Sequence, residues 1–409
     1  MTKSLHAIAH SLFQPSREIP NVTVTGLKLN SSQIEEGDLF IAIPGTKVDG
    51  HDFIGDAINS GAIAVISNGR DVGRLSVPQI KVANPRRAAS IVAAEYYGHP
   101  TKDIIVLGIT GTNGKTTTAS LLYSILNNAG HKTAQLGTLG TIADGFDQEP
   151  TLTTPDSISL QKTFSELRDA DFSHIVMEVS SHALDQYRVA DVEFDVALFT
   201  NLTPEHLDYH ASIEAYYQAK ARLFRMLPLE STAIVNESDP NGLRMAEETN
   251  APTLTFSRSN GDSIHFSDLN ISISGIHGKI IAGHITYDIG SSLVGEFNAE
   301  NILGAVSVAH ALGIEKEMIE EGIKKCSAIP GRMESFPLEN GAKAIMDYAH
   351  TPDAYEKVLG TLKEVSLDGS CLYVVFGAGG DRDASKRPKM AQIAEIFATR
   401  SEERRVGKE

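Results

Sequence analysis

The chain has 409 residues, 41% hydrophobic and 22% charged, which is ordinary for a folded globular protein; at about 150 residues per domain it calls for two or three domains. With 36 Lys and Arg against 52 Asp and Glu the net charge is −16 and no basic stripe stands out, which argues against a nucleic-acid partner. The sequence holds no apolar run of roughly 18 residues and no signal-peptide core after Met1-Thr2-Lys3-Ser4-Leu5-His6, so a membrane span is excluded and a cytoplasmic location is expected. Cys326 and Cys371 are isolated, as in a reducing compartment, and each is read as a plain core residue.

In chain order, Asp38–Ile43 and Ala62–Ile66 read as strands, separated by Pro44-Gly45 and a helix from about Asp52 to Ser60. Pro85 starts a helix that Gly98-His99-Pro100 ends, which places a first domain at 1–100. From Asp103 the alternation resumes. Ile104-Ile105-Val106-Leu107 is a strand, a helix runs from Ala119 through Ile125, and His174–Val179, Val196–Thr200 and Thr232–Asn236 are unbroken apolar strands of a mostly parallel, helix-covered sheet. Residues 254–295, with Gly275, Gly278, Gly283 and Gly290, read as a β-rich extension. Helices at about Asn298–Leu312 and Lys316–Lys325 then close a second domain, 101–332. A third, 333–409, has strands at Ala344–Asp347 and Leu372–Phe376. Its 77 residues are few for a domain, so it is expected to be incomplete. The charged run Ser401–Glu409 stands where another strand is required and reads as non-native sequence.

Between the strand at 104–107 and the next helix lie Thr110-Gly111-Thr112-Asn113-Gly114-Lys115-Thr116-Thr117-Thr118. The strict phosphate-loop pattern would have glycine where Ile109 stands; a shorter G-x-x-G-K-T-T remains. Gly111 and Gly114 let backbone amides turn inward, Lys115 adds a point charge, the helix start adds its dipole, and Thr116 is placed for magnesium. Strand, glycine turn and helix in that order predict a nucleoside triphosphate site.

Glu178 ends an apolar strand at the edge where open parallel sheets bind ligands, so it is read as a metal ligand, against the plainer alternative of a solvated strand-end carboxylate. Asn201–His210, after the next strand, holds two histidines and two carboxylates in an order that matches no zinc pattern; it is either a metal loop or a polar loop. Lys220, in the helical stretch Tyr216–Phe224, reads on physical grounds as a surface residue with a snorkelling stem. Asn298 reads as a helix N-cap. Asp347–Asp353 and Gly377–Asp383 end strands of the third domain and mark its ligand edge, and Lys115, Arg188, Arg332 and Arg382 are the cations available to an anionic substrate.

These motifs, in order from Gly111 to Arg387, resemble the Mur ligase family, the ATP-dependent amino-acid ligases that build the peptidoglycan stem peptide. Thr153-Thr154-Pro155-Asp156, Glu178–Leu184, Asp347–Asp353 and Gly379–Asp383 are most similar to the branch that adds the third residue. The resemblance implies an α/β chain of three domains: a uridine-nucleotide domain, a central P-loop domain and a Rossmann-like C-terminal domain. It implies that Gly111, Thr112, Asn113, Gly114, Lys115, Thr116 and Thr117 hold the ATP phosphates, with Thr116, Glu178 and His206 around Mg2+. Lys220 would be a carbamylated lysine that organises a second magnesium, joining Lys115, His206 and Glu178 as the catalytic set. Asn298 and Asn301 would lie near the adenine, with Arg332 and Asp347 on the nucleotide. Leu29, Ser31, Thr46, Lys47 and Val48 would contact the uridine nucleotide, Thr153, Thr154, Ser180, Gln186 and Arg188 the muramoyl dipeptide, and Arg382 the incoming amino acid.

The implied partners are UDP-N-acetylmuramoyl-L-alanyl-D-glutamate and meso-diaminopimelate, or L-lysine; Gly379–Asp383 with Lys386-Arg387-Pro388 favours diaminopimelate. A monomer is expected. Two features depart from the pattern. Glu205 replaces an aspartate, and the acceptor-selecting Asp-Asn-Pro-Arg expected just beyond Arg400 is absent. Two alternatives stay open: a folylpolyglutamate-type ligase, which has a Lys-Gly-Ser continuation where this chain has Lys115-Thr116-Thr117, and a nucleotide-binding module without ligation.

Overall fold

The segments read as strands and helices appear largely where the apolar pattern puts them in the computed structural model, which describes residues 2–12, 19–45, 48–146, 152–258, 263–367, 369–377 and 386–403. The chain begins with β1 (Lys3–Ser4), α1 (Leu5–Ala9), β2 (Thr23–Val24), β3 (Gly26–Lys28), β4 (Asp38–Ile41), α2 (Ile54–Asn59), β5 (Ala64–Ser67), β6 (Gln79–Lys81) and α3 (Pro85–Tyr97). It continues through β7 (Ile105–Thr110), α4 (Lys115–Asn128), β8 (Thr133–Gly137), β9 (Gly140–Ile142), α5 (Ser157–Asp169), β10 (His174–Glu178), α6 (Ser181–Asp185) and β11 (Val196–Phe199). Next come α7 (Leu207–His210), α8 (Ile213–Arg225), β12 (Thr232–Asn236), α9 (Gly242–Ala246), β13 (Thr253–Ser257), β14 (Ile264–Ser272), β15 (Gly275–Ala282), β16 (Ile285–Ser291), α10 (Glu296–Ala311) and α11 (Lys316–Lys325). The last stretch gives β17 (Glu334–Pro337), β18 (Lys343–Met346), α12 (Pro352–Val365), β19 (Tyr373–Phe376), α13 (Lys386–Phe397) and β20 (Arg400–Glu403).

Two compact units result, one of Met1–Ile105, Thr151–Ser173 and Val179–Phe194, the other of Val106–Pro150, His174–Glu178 and Asp195–Glu409. In the first, β3, β4, β5 and β6 form a parallel sheet in that order. Leu39 and Ile66 of this sheet share a core with Ala88 and Val92 of α3 and Ile158 of α5, while Phe40 and Val65 join Ile54 and Ala57 of α2 in a separate cluster. Asn84 caps α3 by accepting from the Arg86 and Arg87 amides, Pro85 occupies its first turn, and Gly98, at φ 76°, ends it.

The second unit is built on a ten-stranded sheet in the order β16-β15-β14-β13-β12-β11-β7-β10-β8-β9. The sheet is mixed. The pairs β8/β10, β7/β11, β11/β12, β12/β13 and β13/β14 are parallel, whereas the glycine-rich extension β14-β15-β16 and the edge pair β8/β9 are antiparallel. Register sets Thr110 opposite Phe199, so the carboxyl ends of β7 and β11 lie level. The chain leaves β7 through α4 for β8 on one side, and β11 lies on the other; such a reversal opens a ligand crevice at the strand ends.

Toward the C-terminus, β17/β18 is a hairpin, and α12 and α13 share a core, including Leu359, Val374 and Met390, beside the parallel pair β19/β20. Of the charged run Ser401–Glu409, the first three residues do form strand, Arg400–Glu403 pairing in register from Tyr373↔Arg400 to Phe376↔Glu403, and 404–409 lie outside the described residues. Main-chain pairing needs extended backbone, and an exposed strand tolerates charged side chains. Cys326 is buried as expected; Cys371, in the loop before β19, is exposed. Among the described residues no helix is long and apolar enough to cross a membrane.

Candidate active site

The glycine turn lies at the carboxyl end of β7. Gly111 and Gly114 take φ of 152° and 87°, and a Cβ on Gly114 would collide with the Asn301 carboxamide. Because α4 starts at Lys115, the amides of its first turn have no intrahelical acceptors and carry the positive end of the helix dipole. The Lys115 Nζ donates to the carbonyls of Gly111 (2.9 Å) and Thr112 (2.8 Å). Burial draws its pKa below the ordinary lysine value, opposed by the charges of Glu178 and Glu205.

Lys220 is not the surface residue that its charge suggested. It is 1% exposed, donates to the same Gly111 carbonyl at 2.7 Å, and sits 4.4 Å from the Tyr216 ring centroid. The reason is helical phase: Tyr216, Lys220, Leu223 and Phe224 share the buried face of α8. Burial, and then the charge on Lys115, push its pKa well below that of a free lysine.

Glu178, at the end of β10, is likewise no solvated carboxylate, being 1% exposed. It accepts from the Thr116 hydroxyl (3.1 Å), the Thr138 amide (2.8 Å) and the Thr138 hydroxyl (3.2 Å). A Thr hydroxyl beside a carboxylate at a phosphate cradle is a hard-oxygen pair of the kind magnesium takes together with phosphate oxygens and water, so these residues fit that ion. Among the described residues no group of three or more His, Cys, Asp or Glu side chains is arranged to hold a metal alone. His206, in the left-handed region at φ 55°, has its Nε2 3.9 Å from Glu205 and its ring edge-on to Tyr216.

Glu205 also meets His350, at 3.3 Å, across from the segment after β18. Burial favours its neutral form, but the His350 hydrogen bond and the charges of Lys115, His206 and His350 outweigh this and hold its pKa at about 2. A carboxylate whose pKa is lowered on folding stabilises the fold above its unfolded value of 4.5, and that contribution, roughly 3 kcal/mol, is lost as the pH falls from 4.5 toward 2. Glu205→Gln is therefore expected to unfold at lower urea than wild type at pH 7, with the gap shrinking below pH 4.5; a gap that stays constant to pH 3 contradicts this.

Residues after α11 reach the cradle. Arg332 donates to the Thr116 hydroxyl (3.0 Å) and lies 5.2 Å from the Tyr348 ring centroid, and the Asn113 carboxamide donates to Asp353 (3.3 Å). Asp347 accepts from the Met333 and Ala349 amides, both at 2.8 Å, while burial raises its pKa. Asn298 is not the cap of α10, which starts earlier, at Glu296; it is buried in the first turn, donating to the Val294 carbonyl and accepting from Asn301. Asn301 in turn reaches the Thr118 hydroxyl at 3.5 Å.

In the first unit, Thr154 accepts from the Ser180 amide (3.0 Å), and Arg188 bridges the Thr154 carbonyl (2.7 Å) to Gln186 (2.8 Å), with Thr153 beside them in sequence. Leu29 packs against the apolar core, Ser31 lies in a capped turn and Val48 is exposed. Thr46, Lys47 and Arg382 lie outside the described residues. Thr138, Thr200, Asn201 and Asp353 touch the cradle or Glu178 without having been singled out as contacts; Asn201 and Asp353 stand at the ends of the flagged segments Asn201–His210 and Asp347–Asp353, whereas Thr138 and Thr200 have only a position just past a strand as a signal.

Three family models match in succession: "Mur ligase family, catalytic domain" over 23–97, "Mur ligase middle domain" over 109–309, and "Mur ligase, glutamate ligase domain" over 331–404. A Geobacter metallireducens protein, UDP-N-acetylmuramoyl-L-alanyl-D-glutamate--2,6-diaminopimelate ligase, is 41% identical over 381 residues, covering 92% of this chain and 74% of its own length. The chain belongs to the Mur ligase family. A solved ligase of that same name superposes with a TM-score of 0.77 at 30% identity, over 98% of this chain and 82% of its own. A Mycobacterium tuberculosis folylpolyglutamate synthase, solved with ADP and AMPPCP, gives a TM-score of 0.62 at 17% identity, covering 78% and 85%; that likeness is one of fold. The three-domain α/β architecture is thus that of the Mur ligases, with a mixed central sheet.

Proposed function

We propose that the chain joins meso-2,6-diaminopimelate to UDP-N-acetylmuramoyl-L-alanyl-D-glutamate with ATP, through an acyl phosphate. As a Mur ligase it is an ATP-dependent enzyme that forms a C–N bond, and its work belongs to peptidoglycan synthesis, hence to cell shape and division. The observation that carries the reading is the meeting of Lys115 and Lys220 on one carbonyl, Gly111, beside the Thr116–Glu178 pair. Lys115 there brings positive charge to a triphosphate and a carboxylate that otherwise repel each other, and Lys220 beside it is a desolvated amine.

In this reading Gly111–Thr117 hold the phosphates, Thr116, Glu178 and His206 hold Mg2+, and Asn298, Asn301, Arg332 and Asp347 serve the rest of the nucleotide. Magnesium, when bound, neutralises charge on the transferring phosphoryl group. The desolvated Lys220 amine is suited to take up CO2 as a carbamate. Leu29, Ser31 and Thr46–Val48 take the uridine nucleotide, the Thr154–Ser180–Gln186–Arg188 group with Thr153 takes the muramoyl dipeptide, and Arg382 takes the acceptor.

The γ-phosphoryl passes to the D-glutamate carboxylate; the acceptor amine attacks the acyl carbon, loses a proton, and phosphate leaves. The domains are 1–100, 101–332 and 333–409, and the enzyme acts as a cytoplasmic monomer; the two free thiols, Cys326 and Cys371, suit a reducing compartment. With both nucleotide substrates present, phosphate release is expected with meso-diaminopimelate and not with L-lysine. Release with lysine alone overturns the acceptor, and release with neither overturns the function.

A further inference from the structure

Asn201, two residues past β11, touches the phosphate loop three times. Its carbonyl accepts from the Thr112 amide (2.8 Å), its Oδ1 accepts from the Asn113 amide (2.9 Å), and its Nδ2 donates to the Asn113 carbonyl (3.2 Å). An amide on one side and a carbonyl on the other fix which way the carboxamide points. Thr200 adds a hydroxyl bond to the same Asn113 carbonyl at 2.6 Å. This strand-end turn is itself anchored from the β12 side, since Asn236 donates to the Thr200 carbonyl and Asp239 accepts from the Leu202 amide, both at 2.8 Å.

Phosphate loops bind with backbone N–H groups, and here two of the loop's amides, those of Thr112 and Asn113, are already spent on Asn201. Thr112 and Asn113 thus serve the phosphate site by shaping the loop, and the amides from Gly114 into the start of α4 are left to the phosphates themselves. The shortness of the glycine motif has a counterpart in this, because a second strand end, rather than a longer loop, closes the cradle.

We propose that Asn201, seconded by Thr200, is a positioning residue that fixes the curl of the ATP cradle and turns the Thr112 and Asn113 amides away from the phosphates. It rests on the cradle being the ATP site. Neither side chain need touch the nucleotide; both act through Asn113.

The test uses the whole chain and measures AMPPNP affinity by calorimetry, with KM and kcat alongside. Asn201→Ala and the near-isosteric Thr200→Val are expected to weaken AMPPNP binding and raise the KM for ATP about tenfold or more, the scale of losing one or two backbone-ordering hydrogen bonds. The KM values of the other two substrates stay near wild type, and Thr200→Ser restores ATP affinity. A merely structural role would lower the melting temperature and leave the folded fraction's ATP affinity intact. ATP affinity within twofold of wild type in the folded variants overturns the proposal; if Asn201→Ala does not fold, Thr200→Val decides alone. Wild-type chain that does not bind AMPPNP, or Lys115→Ala that binds it equally well, refutes the ATP site itself and is told apart from the first result.

Discussion

Lys220→Ala is expected to lower turnover by about 10²–10³-fold or more, the scale of removing one preorganised charged group from a reacting centre, and short carboxylates such as formate or acetate are expected to restore part of it. The expectation follows from burial. At 1% exposure and beside Lys115, the Lys220 ammonium is disfavoured, so the amine stands neutral over a pH range where a surface lysine is charged. A neutral amine attacks CO2 and releases a proton, leaving a carbamate whose negative charge suits its neighbour Lys115. Alanine leaves a space that a small carboxylate fills. Phosphate release with and without added carboxylate reads this out, and turnover near wild type without rescue removes the carbamate from the reading.

Glu178→Gln is expected to cost about as much, roughly 10²–10³-fold in kcat, with a higher magnesium requirement and little change in melting temperature. Glutamine can still accept from the Thr138 amide, and the Thr116 and Thr138 hydroxyls, now facing an NH2 group, can rotate to accept instead of donate. The fold is thus spared while the carboxylate beside the Thr116 hydroxyl loses its charge. A magnesium titration that superposes on wild type would show that Glu178 serves the fold and not the ion.

How legible these features were depends on where their cause lies. The cradle was readable because strand, glycines, lysine and helix are contiguous, and α3 because its Asn84-Pro85 start and Gly98 stop are local signals. Lys220 was misjudged by polarity, although the apolar residues at 219, 223 and 224 already marked its face of α8 as buried. Asn298 was misjudged because α10 begins two residues earlier on a glycine cap, which brings the side chain inside the helix. Thr138 and Asn201 were beyond reach for another reason. Their partners are set by strand order, and no local pattern announces that β10 inserts between β7 and β8 or that β11 flanks β7 on its other side.

That insertion also bears on how the enzyme comes into being. When β7, α4 and β8 emerge in succession, the two strands are not neighbours; the position between them is filled only by β10, which arrives after β9 and α5. The Thr116–Glu178 contact spans 62 residues of sequence and cannot form before that strand docks. Closing such a non-local, parallel pairing is among the slower events in folding. Magnesium binding at this pair would therefore register completion of the central sheet, and a refolding chain would gain helical signal before it gains the ion.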